Sequence, residues 1–514
     1  MPQQRLTSDQ RRLLVGVCTV IGAVAVVPAT YNFVLNPMLQ DLAGSDAEQS
    51  LLRELPNIGA LVVVFLAATL GRRIGQRRLI VGGSVLFTAG CALVAIAPVL
   101  AVATVGLVIL SAASSSIVIV ALGLLSGRVI DPAARVTAFT YFAIAAPLIF
   151  MVTPVLAGVM IDSWSWRLVP TMWSLGGAVM IWAAWKMIPG DTEARERAEL
   201  LTPVLAGVVL AAGVQTITSI SQHGLISTAT LVRAGAATTC LVVLVWCYRR
   251  IDRASLSLAA LHSGGMLILL AVVLIVPFVD VWFYLTIGYQ SVYDMTALQT
   301  ALLMVPAQLA GVIGGLVARK IIQARGITFT GILLLIVLSA SVLTTLAVTV
   351  ESPIWFLVAV MSLYAAASVG AAVPVTNSIM NAAPAGEEGN ASAFRGASIY
   401  IGTALGIVVM STIVYATSAA ALGDSLESQG LESQQSAEIA ESLRAGASPD
   451  DVSTAYAVPV SDVNVIDQAQ KGAMVDGLHA FGASGALFIA VAAGTFWLGR
   501  RRQVRGVRSI AQSA

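Results

Sequence analysis

Long apolar runs constrain this chain more than any motif in it. Fourteen of them approach the roughly 20 residues that a helix needs to cross a bilayer. They lie near 13–35, 55–71, 79–100, 102–126, 136–161, 168–188, 201–221, 228–248, 264–288, 298–318, 327–349, 354–376, 393–417 and 475–498. In hydrocarbon every backbone N–H and C=O must be bonded within the protein, and a run of this length does so as a helix. Composition points the same way: 57% of the residues are hydrophobic and 11% charged, where a soluble domain carries about 25% charged. The fold class expected is all-α and integral to a membrane, with the lipid bilayer as its solvent.

Charge in the loops gives the orientation. Of the 29 Lys and Arg residues, 24 fall in the N-terminus, at Arg72/Arg73/Arg77/Arg78, Arg128/Arg135, Lys186/Arg195/Arg197, Arg249/Arg250/Arg253, Arg319/Lys320/Arg325 and Arg395, or between Arg500 and Arg508. Only Arg53, Arg167, Arg233, Arg444 and Lys471 fall on the other side. The positive-inside rule then places both termini in the cytoplasm of a plasma (inner) membrane protein. An even number of spans independently requires both termini on one side. Residues 418–474 carry nine acids against Arg444 and Lys471 and are expected outside. They read as a solvated loop with helical pieces such as Ala437–Ala445, or as a hairpin for a partner.

Several function classes drop out. A net charge of +2 provides no basic field for nucleic acid. The four cysteines sit inside apolar runs and the three histidines are scattered, so neither metal nor cofactor is expected. There is no P-loop for ATP-driven pumping, and no cluster of catalytic His, Asp or Glu at a membrane face. What remains is the passage of a small-molecule substrate.

Ionisable groups in a bilayer core are expensive and mark function. Asp280, in Val279-Asp-Val-Trp-Phe-Tyr-Leu, is the acid expected deep in a span, with Val276, Pro277, Phe283 and Tyr284 as its helical neighbours. It reads as a proton carrier or cation anchor, or as a structural acid bonded to a neighbouring helix. Arg395, at the start of span 13, either snorkels to headgroups or faces the pathway. Asn32, Gln308 and Asn377 serve as interhelical glue or as the polar anchors of an apolar cavity, with Trp282 and Tyr284 as aromatic surface.

Certain motifs add a resemblance. Thr153-Pro154-Val-Leu-Ala157-Gly158 followed by Ile161-Asp-Ser-Trp-Ser-Trp-Arg167 resembles the Gly-Pro-x-x-Gly-Gly signature and Trp-Arg entry of major facilitator superfamily exporters. Gly75 with Arg77 and Arg78 resembles that superfamily's cytoplasmic gate loop between spans two and three. Asn32-Phe-Val-Leu35 with Asp41, the stretch Tyr289 to Pro306, and Asn381 to Gly406 are similar to segments of its 14-span drug:proton antiporter family. The resemblance implies two six-helix bundles (1–190 and 256–499), two extra helices between them (191–255), a basic tail (500–514) and a monomeric, proton-coupled exporter of small apolar or cationic compounds. The central cavity is then expected between spans 1, 5, 9, 10, 12 and 13. The chain departs from the family at Arg72, where an Asp is usual, at Val27, and in spans 4 and 10, which lack the usual Arg and acid. Those departures keep open a carrier for a lipid, metabolite or anionic compound with different or no proton coupling.

Overall fold

The computed structural model describes residues 7–190, 198–251, 255–258, 261, 265–428, 439 and 463–513. Among these residues the regular structure is helical throughout. Fourteen helical segments are long and apolar enough to cross a membrane: Ser8–Leu42, Leu51–Ile74, Gln76–Ala95, Leu100–Arg128, Pro132–Ser163, Leu168–Met187, Leu201–Ile220, Thr228–Arg250, Met266–Gln290, Leu298–Arg325, Ile327–Ala347, Ile354–Ala382, Glu388–Glu427 and Ile466–Val504. They are spans 1 to 14, and each coincides with an expected apolar run.

Several helices overshoot their apolar runs because capping, not hydropathy, ends them. Span 1 starts at Ser8, where the Thr7 side chain accepts from Gln10 N–H and the Gln10 side chain reaches back to the Thr7 backbone. Ser45 with Glu48 and Thr296 with Gln299 form the same reciprocal box ahead of spans 2 and 10. Gly75 (φ 101°) and Gly326 (φ 83°) each separate two spans as a single residue. A side chain with a Cβ is strained at such an angle, so the turn calls for glycine.

The packing repeats after eight spans. Span 1 packs on 5 and 6, span 2 on 4, and span 3 on 4 and 6; span 9 packs on 13 and 14, span 10 on 12, and span 11 on 12 and 14. Two six-helix bundles, spans 1–6 and 9–14, follow from these pairings. They meet where span 5 lies on spans 10 and 12, and where span 13 lies on spans 2 and 4. Spans 7 and 8 pair with each other. Span 7 leans on spans 2 and 13, while span 8 is held mainly by span 7 and keeps most of its surface exposed.

Two expectations about the outer region and span 9 change. Helix continues through Ser428 after span 13 and already runs from Val463 before span 14. Both ends of the expected acidic loop are therefore helical. Leu422, Leu426, Ile466 and Ala469 bury against one another there, with Ile439. Of the suggested helical piece Ala437–Ala445, only Ile439 lies among the described residues. Span 9 is not one continuous helix: α-helix runs Met266–Ile275, a 3-10 turn takes Val276–Phe278, and α-helix resumes at Val281–Ser291.

Candidate functional site at the seam between the bundles

The break in span 9 follows from Pro277, which has no N–H to give and whose ring crowds the preceding turn. The freed Val279 carbonyl accepts from the Tyr364 hydroxyl of span 12 at 2.8 Å. Span 13 presses against the break through Gly402, beside the Leu274 backbone, and Gly406, beside the Phe278 backbone. Asp280 is thus not a helix-interior residue buried among Val276, Phe283 and Tyr284, as expected. It caps the second half-helix, accepting from Phe283 N–H at 3.3 Å, and its side chain is exposed. Trp282 stands edge-on to Tyr364, ring centroids 6.5 Å apart. Tyr284 points to the other side of span 9, its ring 4.5 Å from Phe481 and its hydroxyl 3.2 Å from Ser411. Trp282 and Tyr284, two positions apart, therefore face different neighbours.

A second polar group lies at the end of the molecule that carries residues 8 and 513. Arg135 of span 5 donates to Asn381 Oδ1 of span 12 at 2.5 Å and to the carbonyls of Ser126 (2.6 Å) and Val129 (2.9 Å). Asn381 in turn donates to Asn377 Oδ1. Nearby, Ser392 Oγ of span 13 donates to the Ile119 carbonyl of span 4 at 2.9 Å, and Phe65 meets Phe394 edge to face. Gly123 and Gly389 approach so closely that a methyl on the first would lie 3.2 Å from the Cα of the second. These contacts join one bundle to the other and shut that end of the seam.

Arg395 does not snorkel. Its Nε is sealed from solvent with no hydrogen-bond partner. At about 100° per residue, it shares a face with Gly402 and Gly406, which press on span 9, and is turned away from Ser392 and Gly396, which face span 4. Asn377 Nδ2 of span 12 is likewise sealed and unpartnered. Two groups able to donate hydrogen bonds thus sit on spans 12 and 13 with nothing to accept from them. Gln308 is buried in span 10, whereas Asn32 is exposed on span 1. The predicted polar residues therefore do not form one cluster.

The motif fragments have structural jobs. Thr153, Pro154, Ala157 and Gly158 are all buried where span 5 restarts after a break at 151–152, and Thr153 Oγ1 bridges the break to the Ile149 carbonyl. A Cβ on Gly158 would touch Leu298 of span 10. Asp41 accepts from Trp166 Nε1 at 3.0 Å and pairs with Arg167 at 3.1 Å, so two motif segments far apart in sequence clasp each other. Arg77 donates to the Trp185 carbonyl at 2.6 Å and lies over that ring, while Arg78 is exposed.

Sequence reasoning missed one polar set. Glu54 lies inside span 2, not ahead of it. It pairs with Arg233 of span 8 at 3.5 Å and accepts from Gln215 of span 7 at 3.1 Å. The available signal was a lone acid and a lone arginine each near the outer end of a span. Arg135 with Asn381 was also missed, because both stood in stretches read as loop or family motif.

Two repeated helical bundles around a polar seam, bent at a proline on either side, define a carrier of the alternating-access class. The sequence matches the profile of the Major Facilitator Superfamily over residues 13–407, and the chain belongs to that superfamily. It is accordingly a transporter and not an enzyme. It is 25% identical over 379 residues to the "Multidrug resistance protein Stp" of Mycobacterium tuberculosis (strain CDC 1551 / Oshkosh), covering 72% of this chain and 70% of that protein. Among solved structures it resembles the human organic anion transporter MFSD10 (TETRAN), with TM-score 0.57, 12% identity, and 95% and 100% of the two chains covered. It also resembles a bacterial homologue of the iron transporter ferroportin in an outward-facing state, with TM-score 0.59, 9% identity, and 96% and 100% covered. The E. coli fucose:proton symporter FucP superimposes with TM-score 0.53 at 14% identity over 95% and 98%. Proteins named for such different cargoes share the fold, so the fold by itself selects none of them.

Proposed function

We propose that this transporter is a proton-coupled exporter of small apolar or cationic compounds, acting as a monomer in the plasma membrane with both termini in the cytoplasm. Bundles 1–190 and 256–499 are the rocking bodies, and 191–255 supplies the extra hairpin. The observation that carries the reading is Asp280: a carboxylate at the break of span 9, exposed, held by backbone N–H groups of the half-helix it caps. A charge at a hinge can change state as the bundles rock. Protonated from outside and deprotonated toward the cytoplasm, it would exchange a proton for substrate. The similarity to Stp supports export, and the loop charge bias supports the placing of the termini. The test is transport in proteoliposomes under an imposed pH gradient, with a panel of cationic, neutral and anionic compounds. Asp280→Asn, which keeps the size and the cap, should abolish pH-driven transport while binding persists. Full pH-driven transport by that variant would remove Asp280 from the mechanism.

A second reading, carriage of an anionic compound without Asp280, is favoured by Arg395. A guanidinium whose sealed Nε has no partner suits a carboxylate or phosphate better than an ammonium group. In the same panel, transport confined to anions and lost in Arg395→Gln would select it.

A further inference from the structure

A cavity of about 910 Å³ opens between spans 1, 5 and 6, away from the seam residues discussed above. Spans 5 and 6 are joined by the short 164–167 turn at the far end and diverge toward the end bearing residues 8 and 513, leaving span 1 as the floor between them. The floor is a stripe at helical spacing: Arg11, Leu14, Cys18, Gly22 and Val26. Gly22 and Gly176 keep the groove deep, and Tyr141, Leu148 and Val179 stand exposed along its walls.

The stripe has a leaflet's length. From Arg11 to Val26 is about 22 Å at helix rise, and half a bilayer including headgroups is about 20–22 Å. The stripe is apolar except at one end. There Arg11, four residues into the span 1 helix, is joined by Arg319 and Gln323 from the last turns of span 10. No Asp or Glu lines the cavity, and neither arginine belongs to an ion pair among the described residues. Two cations left without counter-charge at the headgroup level of an apolar groove complement one ligand: an anion carrying hydrocarbon chains.

We propose that the groove holds one anionic glycerophospholipid from the leaflet at the termini-bearing end, its chains along span 1 and its phosphate at Arg11 and Arg319. The second bundle contributes Arg319 to a groove built by the first, so the bound lipid bridges the two bodies at that end. The inference rests on the fourteen-span fold alone and not on the cargo or on Asp280.

Native mass spectrometry of the full chain in detergent tests it, with phosphatidylglycerol and phosphatidylcholine of equal chain length offered together. One phosphatidylglycerol should be retained in preference to phosphatidylcholine. Each basic residue near a headgroup is worth about 1 kcal/mol, so Arg11→Gln with Arg319→Gln should cut that preference roughly thirtyfold. Arg11→Lys with Arg319→Lys should keep most of it and serves as the folding control. Val15→Trp, on the groove wall, should reduce retention of both lipids. Glycerol 3-phosphate should not displace the bound lipid. Equal retention of both lipids by the unmodified chain, an unchanged preference in the double Gln variant, or displacement by glycerol 3-phosphate would each overturn the proposal.

Discussion

Arg135 and Arg395 show how one residue type serves two ends at the same seam. Arg135 spends its donors on Asn381 and on two carbonyls, and so ties span 5 to span 12. Hydrogen bonds to a charged donor contribute about 1.5–3 kcal/mol each. Only the bond to Asn381 crosses between the bundles, so Arg135→Ala should weaken the shut end by roughly 1.5–3 kcal/mol and populate the state open there. A cysteine replacing Ser378, fully buried on span 12 at that end, should then react with a maleimide many times faster than in the Arg135 background. An unchanged rate would mean that apolar packing alone holds the end shut. Arg395 keeps an unpartnered Nε, which is costly in a buried site. Arg395→Met should therefore leave the fold intact, or stabilise it slightly, while changing which charge class is carried. A clear loss of thermal stability would show that the arginine has a structural acceptor.

Elements obey a rule of close approach. A methyl on Gly314 of span 10 would overlap the Ala366 carbonyl of span 12, so Gly314→Leu has no room without separating two spans of one bundle. Its cost should reach about 3 kcal/mol, toward the upper range for forced overpacking, seen as loss of monodisperse protein on size-exclusion chromatography. The extra hairpin hangs on less. Glu54 holds both Arg233 and Gln215, and interhelical polar contacts in membranes contribute about 1–2 kcal/mol. Glu54→Gln should expose spans 7 and 8 to limited proteolysis while leaving the two bundles resistant. Equal protection of all fourteen spans would contradict this. At the start of span 2, bonds from the backbone and side chain of Ser45 hold the exposed Glu48 carboxyl below its ordinary range. A depressed carboxylate stabilises above its unfolded value, and that contribution disappears as pH falls through the folded one. Glu48→Gln should flatten the acid side of the stability profile without moving the alkaline side.

At the scale of the whole molecule, topology is the first thing to check. With both termini cytoplasmic, a cysteine replacing Ser436 should label from outside intact cells and one replacing Ser509 should not; the reverse pattern would invert the assignment. All fourteen spans were legible in the sequence because the bilayer imposes a local rule: each run must be apolar, about 20 residues long, and bounded by charge or a cap, and every one of these is written in consecutive residues. The turn at Gly75 was legible for the same reason, since glycine acts on its own backbone. Which polar residues meet was not. Asp280 looked like a buried helix residue until Pro277 broke the helix and turned it into a cap, and Arg395 looked like a headgroup contact until the packing around span 13 sealed its Nε from solvent. Asn32, Gln308 and Asn377 have similar polar character in sequence, yet the first is exposed and the other two are buried. The sequence by itself determined the number and the order of the spans. Only the tertiary structure decided the faces, because a face depends on the crossing of helices hundreds of residues apart, as when Arg135 reaches Asn381.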